Sequence, residues 1–290
     1  MDMGKHFTSK GLFRFTLPVI GTMLLVSSYE MVDGFFVSRW VGSDALAAVN
    51  FTYPIIMVVG ALGFMLGTGG SAVVAKTRGE GDSERAKRQF SLIIYTGLVV
   101  GCVCAVLASV LLRPVLRVMG AQGSMLSLCI PYGTILAIGL PATILQAMFQ
   151  EFFVTAGKPS LGFFASAAAG VTNIVLDAVL IAGLGMGVSG AALATMAGEI
   201  VGGILPLLYF VRPNGSALKL GKANLDWRLL GRVCVNGSSE MVSNIATSVV
   251  AMAYNVQLLA YLGEAGVAAY GVIAYAAMAV SAVLMGFIFG

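Results

Sequence analysis

Residues 163–187 read FFASAAAGVTNIVLDAVLIAGLGMG, and Asp177 is the only charged residue among them. About 20 consecutive apolar residues suffice for an α-helix to cross the hydrocarbon core of a bilayer. The stretch is therefore read as a membrane-spanning helix. Asn173 and Asp177 stand four apart, which stacks them on one face, one turn above the other. An amide and a carboxylate at that depth are costly in lipid and call for partners or a function.

The rest of the chain agrees. Its 290 residues are 58% hydrophobic and only 10% charged, where soluble domains carry about 25% charged residues. The fold expected is an all-α integral membrane protein, a polytopic helical bundle. Apolar runs of span length occur eight times, at 13–38, 47–75, 89–113, 126–154, 160–183, 188–210, 229–259 and 266–290. They are continuous rather than alternating, which favours helices over a barrel. The first run is full span length and lacks a small-residue cleavage site, so it is not read as a signal peptide. Cys102, Cys104, Cys129 and Cys234 all lie in apolar runs and read as small buried hydrophobes. The only histidine, His6, lies in the amino-terminal tail, which leaves no His-based metal site or triad. No enzymatic chemistry and no resident cofactor are expected.

The basic residues set the orientation. With the amino terminus inside, 14 of the 17 Lys and Arg fall in inner segments, and only Arg39, Arg113 and Arg117 fall outside. The positive-inside rule then predicts a cytoplasmic amino terminus. The net charge of +4 is a topology device and calls for no nucleic acid; the partner is the bilayer.

VGSDALAAVNF at 41–51 and LGEAGVAAYGV at 262–272 match at an offset of 221, and the same offset lays span one on span seven and span two on span eight. Two parallel halves with a site between them follow. The domains expected are a cytoplasmic tail (1–12), a six-helix lobe (13–210), a cytoplasmic linker (211–228) and the first two helices of a second lobe (229–290). A full second lobe would need roughly 150 more residues.

Six acids fall inside spans: Glu30, Asp33, Glu151, Asp177, Glu199 and Glu240. Glu151 sits near the inner end of span four and reads as interfacial. Glu199 and Glu240 lie near mid-depth, the latter in the polar stretch NGSSEMVSN at 236–244. At 1.5 Å per residue, Asp33, Asp177 and Thr195 come within roughly 7–9 Å of the outer ends of their spans. With Asn173, three helices thus place hard oxygen atoms at one level, suited to Na⁺ or to a shared proton. The competing reading is an interhelical hydrogen-bond cluster that only holds the bundle together. Pro18 makes span one bendable.

LPVIGTMLLVSSYEMVDGFFVSRWVGSDALAAV (17–49), GTGGSAVVAKTRGEGDSERA (67–86), FFVTAGKP (152–159) and NIVLDAVLIAGLGMGVSGAALAT (173–195) resemble a prokaryotic MATE (multidrug and toxic compound extrusion) transporter. The resemblance implies twelve spans in two six-helix lobes and export of small organic cations in exchange for H⁺ or Na⁺. It also implies a bacterial cytoplasmic membrane and a monomer at full length. Carried over by motif, Asp33 matches the span-one aspartate and Asn173 and Asp177 the span-five pair. Thr195 and the carbonyl of Ala191 match the remaining cation ligands. Tyr132 and Pro18 match a cavity tyrosine and the span-one bend, and Glu240 resembles a span-seven glutamate. Glu30 stands where an asparagine is common. It and Glu199 join Glu240 as additional sites for the coupling ion or the substrate cation.

Rival readings are a lipid-linked oligosaccharide flippase of the same superfamily and an inactive transporter fragment. The flippase would need Lys or Arg deep in a span, and none lies there. GEGD at 79–82 matches the GxGD pattern of intramembrane aspartyl proteases, but Asp82 falls in a basic loop.

Overall fold

Polar punctuation between apolar runs becomes the turns of the bundle. A computed structural model describes residues 21, 25, 28, 29 and 31–289, the side chains of 275 and 278–289 excepted. Pro18 and Glu30 lie outside the described residues. Helix α1 is described over 31–36 and runs into a π-helical turn, Val37–Val41. There follow α2 (Ser43–Gly79), α3 (Ser83–Val118), α4 (Gly123–Thr155), α5 (Pro159–Asp177) with a second π-helical segment (Ala178–Gly183), and α6 (Gly187–Val211). The last helical stretch, Trp227–Phe289, breaks at Gly263, whose φ of 69° and ψ of −162° leave the helical region. The part before the break is α7 and the part after it α8. Only glycine adopts such a φ without strain.

Helices α2 and α3 outrun their apolar runs by about a turn at each end, whereas α5 with its π-helical segment and α6 match theirs within one residue. Asp82 accepts the backbone N–H of Arg85 at 3.0 Å, and Asp226 that of Leu229 at 3.0 Å, each opening a helix. Asp82 is thus a helix cap outside the hydrophobic span, which removes the protease reading of GEGD.

Alternating helix directions put the loops after α2, α4 and α6 at one end, here termed the basic end. It carries Lys76, Arg78, Arg85, Lys87, Arg88, Lys158, Lys219 and Lys222. Arg78 donates to the carbonyl of Thr155, and the α6–α7 linker is tied down by Tyr95 Oη donating to the Gly221 carbonyl at 3.1 Å. Val99, Val103, Val106 and Val110, spaced along one face of α3, are each more than half exposed. That stripe meets no partner among the described residues, as expected of a face turned to lipid.

Helix α2 is central, packed against α3, α4 and α7. Near the basic end α2 and α7 cross in backbone contact. A Cβ at Gly69 would overlap the Val233 carbonyl oxygen, and a Cβ at Gly237 would overlap that of Met65. Small residues at a crossing let membrane helices gain close van der Waals packing, which replaces the hydrophobic effect there. The polar stretch 236–244 does not interrupt the span: α7 is helical throughout it.

Two apolar cores result. One, at the end opposite the basic loops, includes Val37, Leu46, Leu116, Met125, Ile181 and Val267. The other, at the basic end, is built on Phe90, Phe149, Phe152 and Phe210, whose rings meet at centroid distances of 4.9–5.6 Å. Between the two cores lies a cavity.

Candidate functional site

The cavity has a volume of about 760 Å³ and takes side chains from α1, α2 and α4–α8. That size suits a drug-sized ligand, for which sites of about 300–1,000 Å³ are usual. Tyr53, Met57, Phe64, Tyr132 and Tyr270 supply apolar and aromatic wall. Asp33 and Glu199 are the only charged residues among the described residues that line it, and no described lysine or arginine stands beside them there.

On one wall α1, α5 and α6 converge. Asp33, Asn173 and Thr195 line the cavity, and Asp177, fully buried, stands directly behind with its carboxyl group beside that of Asp33. Gly198 lets α6 approach α5 closely enough for Asn173 to pack on it: a Cβ at 198 would fall 3.3 Å from Asn173 Cβ. Asp33 Oδ1, Asn173 Oδ1, both oxygens of Asp177 and Thr195 Oγ are buried without a hydrogen-bond partner among the described residues. Buried polar atoms in native proteins are nearly always paired. Five such oxygen atoms lie together where α1, α5 and α6 meet, a concentration that calls for an account.

Both carboxylate-bearing helices widen into π-helical turns just beyond the carboxylate, four residues after Asp33 and directly after Asp177. Such turns gather at functional sites because they rotate the residues that follow. Nothing in the sequence reading announced them. No three His, Cys, Asp or Glu side chains converge among the described residues. A cation here would meet two carboxylates and neutral oxygens, a hard-oxygen set rather than one for a transition metal.

The other expected residues sort by position. Ala191 is fully buried one turn from Thr195 on α6 and does not line the cavity. Tyr132 lines it from α4 and is 1% exposed. Glu199 lines it with Oε2 accepting from Thr143 Oγ at 2.7 Å. Glu240 does not: it accepts from Asn244 Nδ2 at 3.1 Å and lies near Glu151, towards the basic end. The structure adds residues that the sequence reading passed over, namely Asn50, Thr143, Gln146, Gln150 and Asn255. Gln146 and Gln150 sit one turn apart inside an apolar run, a signal that was available. Asn255 Nδ2 donates to the Asn50 carbonyl at 2.7 Å, tying α7 to α2 at the cavity wall.

A family model described as MatE matches residues 18–179, more than half of the chain. The multidrug export protein MepA of Staphylococcus saprophyticus is 26% identical over 269 residues, covering 92% of this chain and 59% of that protein. The chain thus spans a little under three-fifths of the length of the curated relatives it matches. Among solved structures, the MATE multidrug transporter DinF-BH is 27% identical at a TM-score of 0.90, covering 96% of this chain and 63% of that one. An inward-facing multidrug resistance MATE transporter is 26% identical at a TM-score of 0.79, covering 84% and 56%.

Proposed function

The chain belongs to the MatE family, and on that premise we propose that it serves an antiporter that exports organic cations in exchange for H⁺ or Na⁺. The observation that carries the reading is the set of unpaired oxygens of Asp33, Asn173, Asp177 and Thr195 on the wall of a drug-sized cavity. Asp33, Asn173, Asp177, Thr195 and the carbonyl of Ala191 hold the coupling ion. The cavity, uncompensated in charge and lined with tyrosines and methionine, holds the exported cation through charge and cation–π attraction. The names of the relatives, multidrug export proteins, support the same direction. A lipid-linked pyrophosphate would meet like charge on this wall, which disfavours the flippase. The two parallel lobes, the monomeric state and the location in a bacterial cytoplasmic membrane with an inner amino terminus belong to this reading.

The test is transport by the purified protein in proteoliposomes loaded with ethidium. An imposed H⁺ or Na⁺ gradient should accelerate dye movement, and collapse of that gradient should stop it. Dye movement indifferent to both gradients would rule out coupling.

Orientation has its own test, impermeant thiol labelling of intact cells in a background free of native cysteines. Gly42, Gly185 and Gly263 have φ of 121°, 65° and 69°, so cysteines there would be strained, and their neighbours are better sites. Cysteines at Ser43, Leu184 and Ala265 should label from outside, and cysteines at Ser83 and Ala217 should not. Labelling at Ser83 in sealed cells would reverse the assignment.

A further inference from the structure

We propose that the junction of α3 with the α6–α7 linker is a headgroup site for an anionic glycerophospholipid in the leaflet at the basic end. Arg88, Lys219 and Lys222 hold the phosphate, and the acyl chains lie along the valine stripe of α3. The proposal needs only the membrane-spanning bundle and is independent of what the cavity carries.

The linker is not a slack tether. Leu218 and Leu220 are buried in the aromatic core at the basic end, while Lys219 between them is exposed. The Leu220 N–H donates to the Phe210 carbonyl at 2.8 Å. The next residue is pinned twice to α3. The Gly221 N–H donates to Ser91 Oγ at 3.0 Å, and the Gly221 carbonyl accepts from Tyr95 Oη at 3.1 Å. Asn214 Nδ2 fastens the start of the linker to the Tyr209 carbonyl at 3.0 Å. Lys219 and Lys222, both exposed, are thus presented from fixed backbone on either side of the pinned residues.

The place of pinning gives the fixed backbone its meaning. Val99, Val103, Val106 and Val110 mark the lipid-facing side of α3. Tyr95 stands four residues before Val99 and Arg88 eleven before it, about one and three turns, so both continue that side towards the basic end. Both are exposed. The apolar stripe therefore ends in a tyrosine, a residue type enriched where hydrocarbon gives way to headgroups. Arg88 follows roughly 10 Å further along the helix, beside the linker and its two lysines. None of these three cations has an ion pair among the described residues, where the one ion pair joins Lys87 to Glu84 at 2.7 Å. Asp82 and Asp226, acids of the same end, are engaged as helix caps. Basic clusters beside a span attract anionic headgroups. Here the backbone that carries two of the charges is already ordered, which lowers the entropic cost of holding one lipid in place.

The test is native mass spectrometry of the full chain, purified in detergent and titrated with phosphatidylglycerol or with phosphatidylcholine of the same acyl chains. Phosphatidylglycerol should bind about tenfold more tightly or better. Each basic residue beside an anionic headgroup contributes about fivefold. Lys219→Gln combined with Lys222→Gln should therefore weaken phosphatidylglycerol roughly 25-fold and leave phosphatidylcholine within about twofold. Lys76→Gln combined with Lys158→Gln removes the same charge from exposed positions at the same end but off the α3 stripe, and should change either lipid by less than about twofold. Tyr95→Phe keeps every charge but releases the linker, and should still weaken phosphatidylglycerol about threefold. Excess glycerol 3-phosphate should leave the bound lipid in place, because the acyl chains contribute to its affinity. All four substituted lysines are exposed, and retained phosphatidylcholine binding shows that each variant is folded. Equal losses in the two double variants would mean a diffuse surface field and overturn the proposal, as would equal binding of the two lipids. Tyr95→Phe indistinguishable from wild type would refute a site built on the pinned linker, and displacement by glycerol 3-phosphate would replace it with a free-anion site.

Discussion

Ion-driven efflux is expected to vanish in Asp33→Asn and in Asp177→Asn, while each protein still reaches the membrane in near wild-type amount. The geometry sets both halves of that outcome. Each substitution keeps the size of the side chain and removes one negative charge from a buried pair that lacks donors. A buried carboxylate pair without donors is expensive to maintain. An asparagine in either place removes like-charge repulsion and supplies N–H donors to the remaining carboxylate. Thermal stability should therefore hold or rise as activity is lost, the usual signature of a site kept under strain for function. A purely structural cluster predicts the reverse, with melting temperature, membrane level and efflux falling together. Measuring all three on the same preparations separates the two.

Most of the architecture was legible in the sequence because lipid removes alternatives. Apolar length and charge asymmetry are enough to write helices, turns and their alternation. The stretch around Asp177 also gave the site's level, since rise per residue converts position into depth. It did not give the second half of the cavity wall. Gln146 looks like a tolerable amide in a long apolar helix until α6 is seen to close on it through Gly202. Glu240 was the opposite case. Its sequence neighbourhood is polar enough to suggest a break and a cavity lining, yet α7 runs straight through it. Its carboxylate turns towards Asn244 and Glu151 at the α2–α7 crossing. Depth can be read along one helix, but azimuth depends on which helix comes to lie beside it. The π-helical turns after Asp33 and Asp177 have no hydropathy signature of their own, and the two segments meet at the bundle end.

Substrate affinity should fall as pH drops and as Na⁺ rises, and this competition is the mechanism in measurable form. In the proposed reading the ion cluster and the substrate share one cavity, and no basic residue is among the described residues that line it. Filling the cluster with H⁺ or Na⁺ adds a positive charge to its wall, so the cavity becomes less attractive to a second cation. One helical turn, about 5.4 Å, separates Thr195 from Glu199. Unit charges roughly 6 Å apart at an effective dielectric of about 20 repel by about 2–3 kcal/mol. That is a loss of roughly 30- to 100-fold in affinity. By linkage the reverse holds equally: bound substrate must weaken ion binding by the same factor. Exchange then needs only that the ion enter from the side on which substrate leaves. The cluster lies towards the end opposite the basic loops, which is the outer end in the proposed orientation. Ion entry would also pull α1, α5 and α6 onto shared oxygens that are now unpaired, giving the helices two arrangements rather than one. In purified protein, titrating DAPI at falling pH and at rising Na⁺ should yield a progressive loss of affinity with at least one of the ions. Asp33→Asn should flatten that dependence, because the charge being titrated is gone. Affinity indifferent to both ions in the wild type would reject competition within the cavity, whatever coupling the transporter shows.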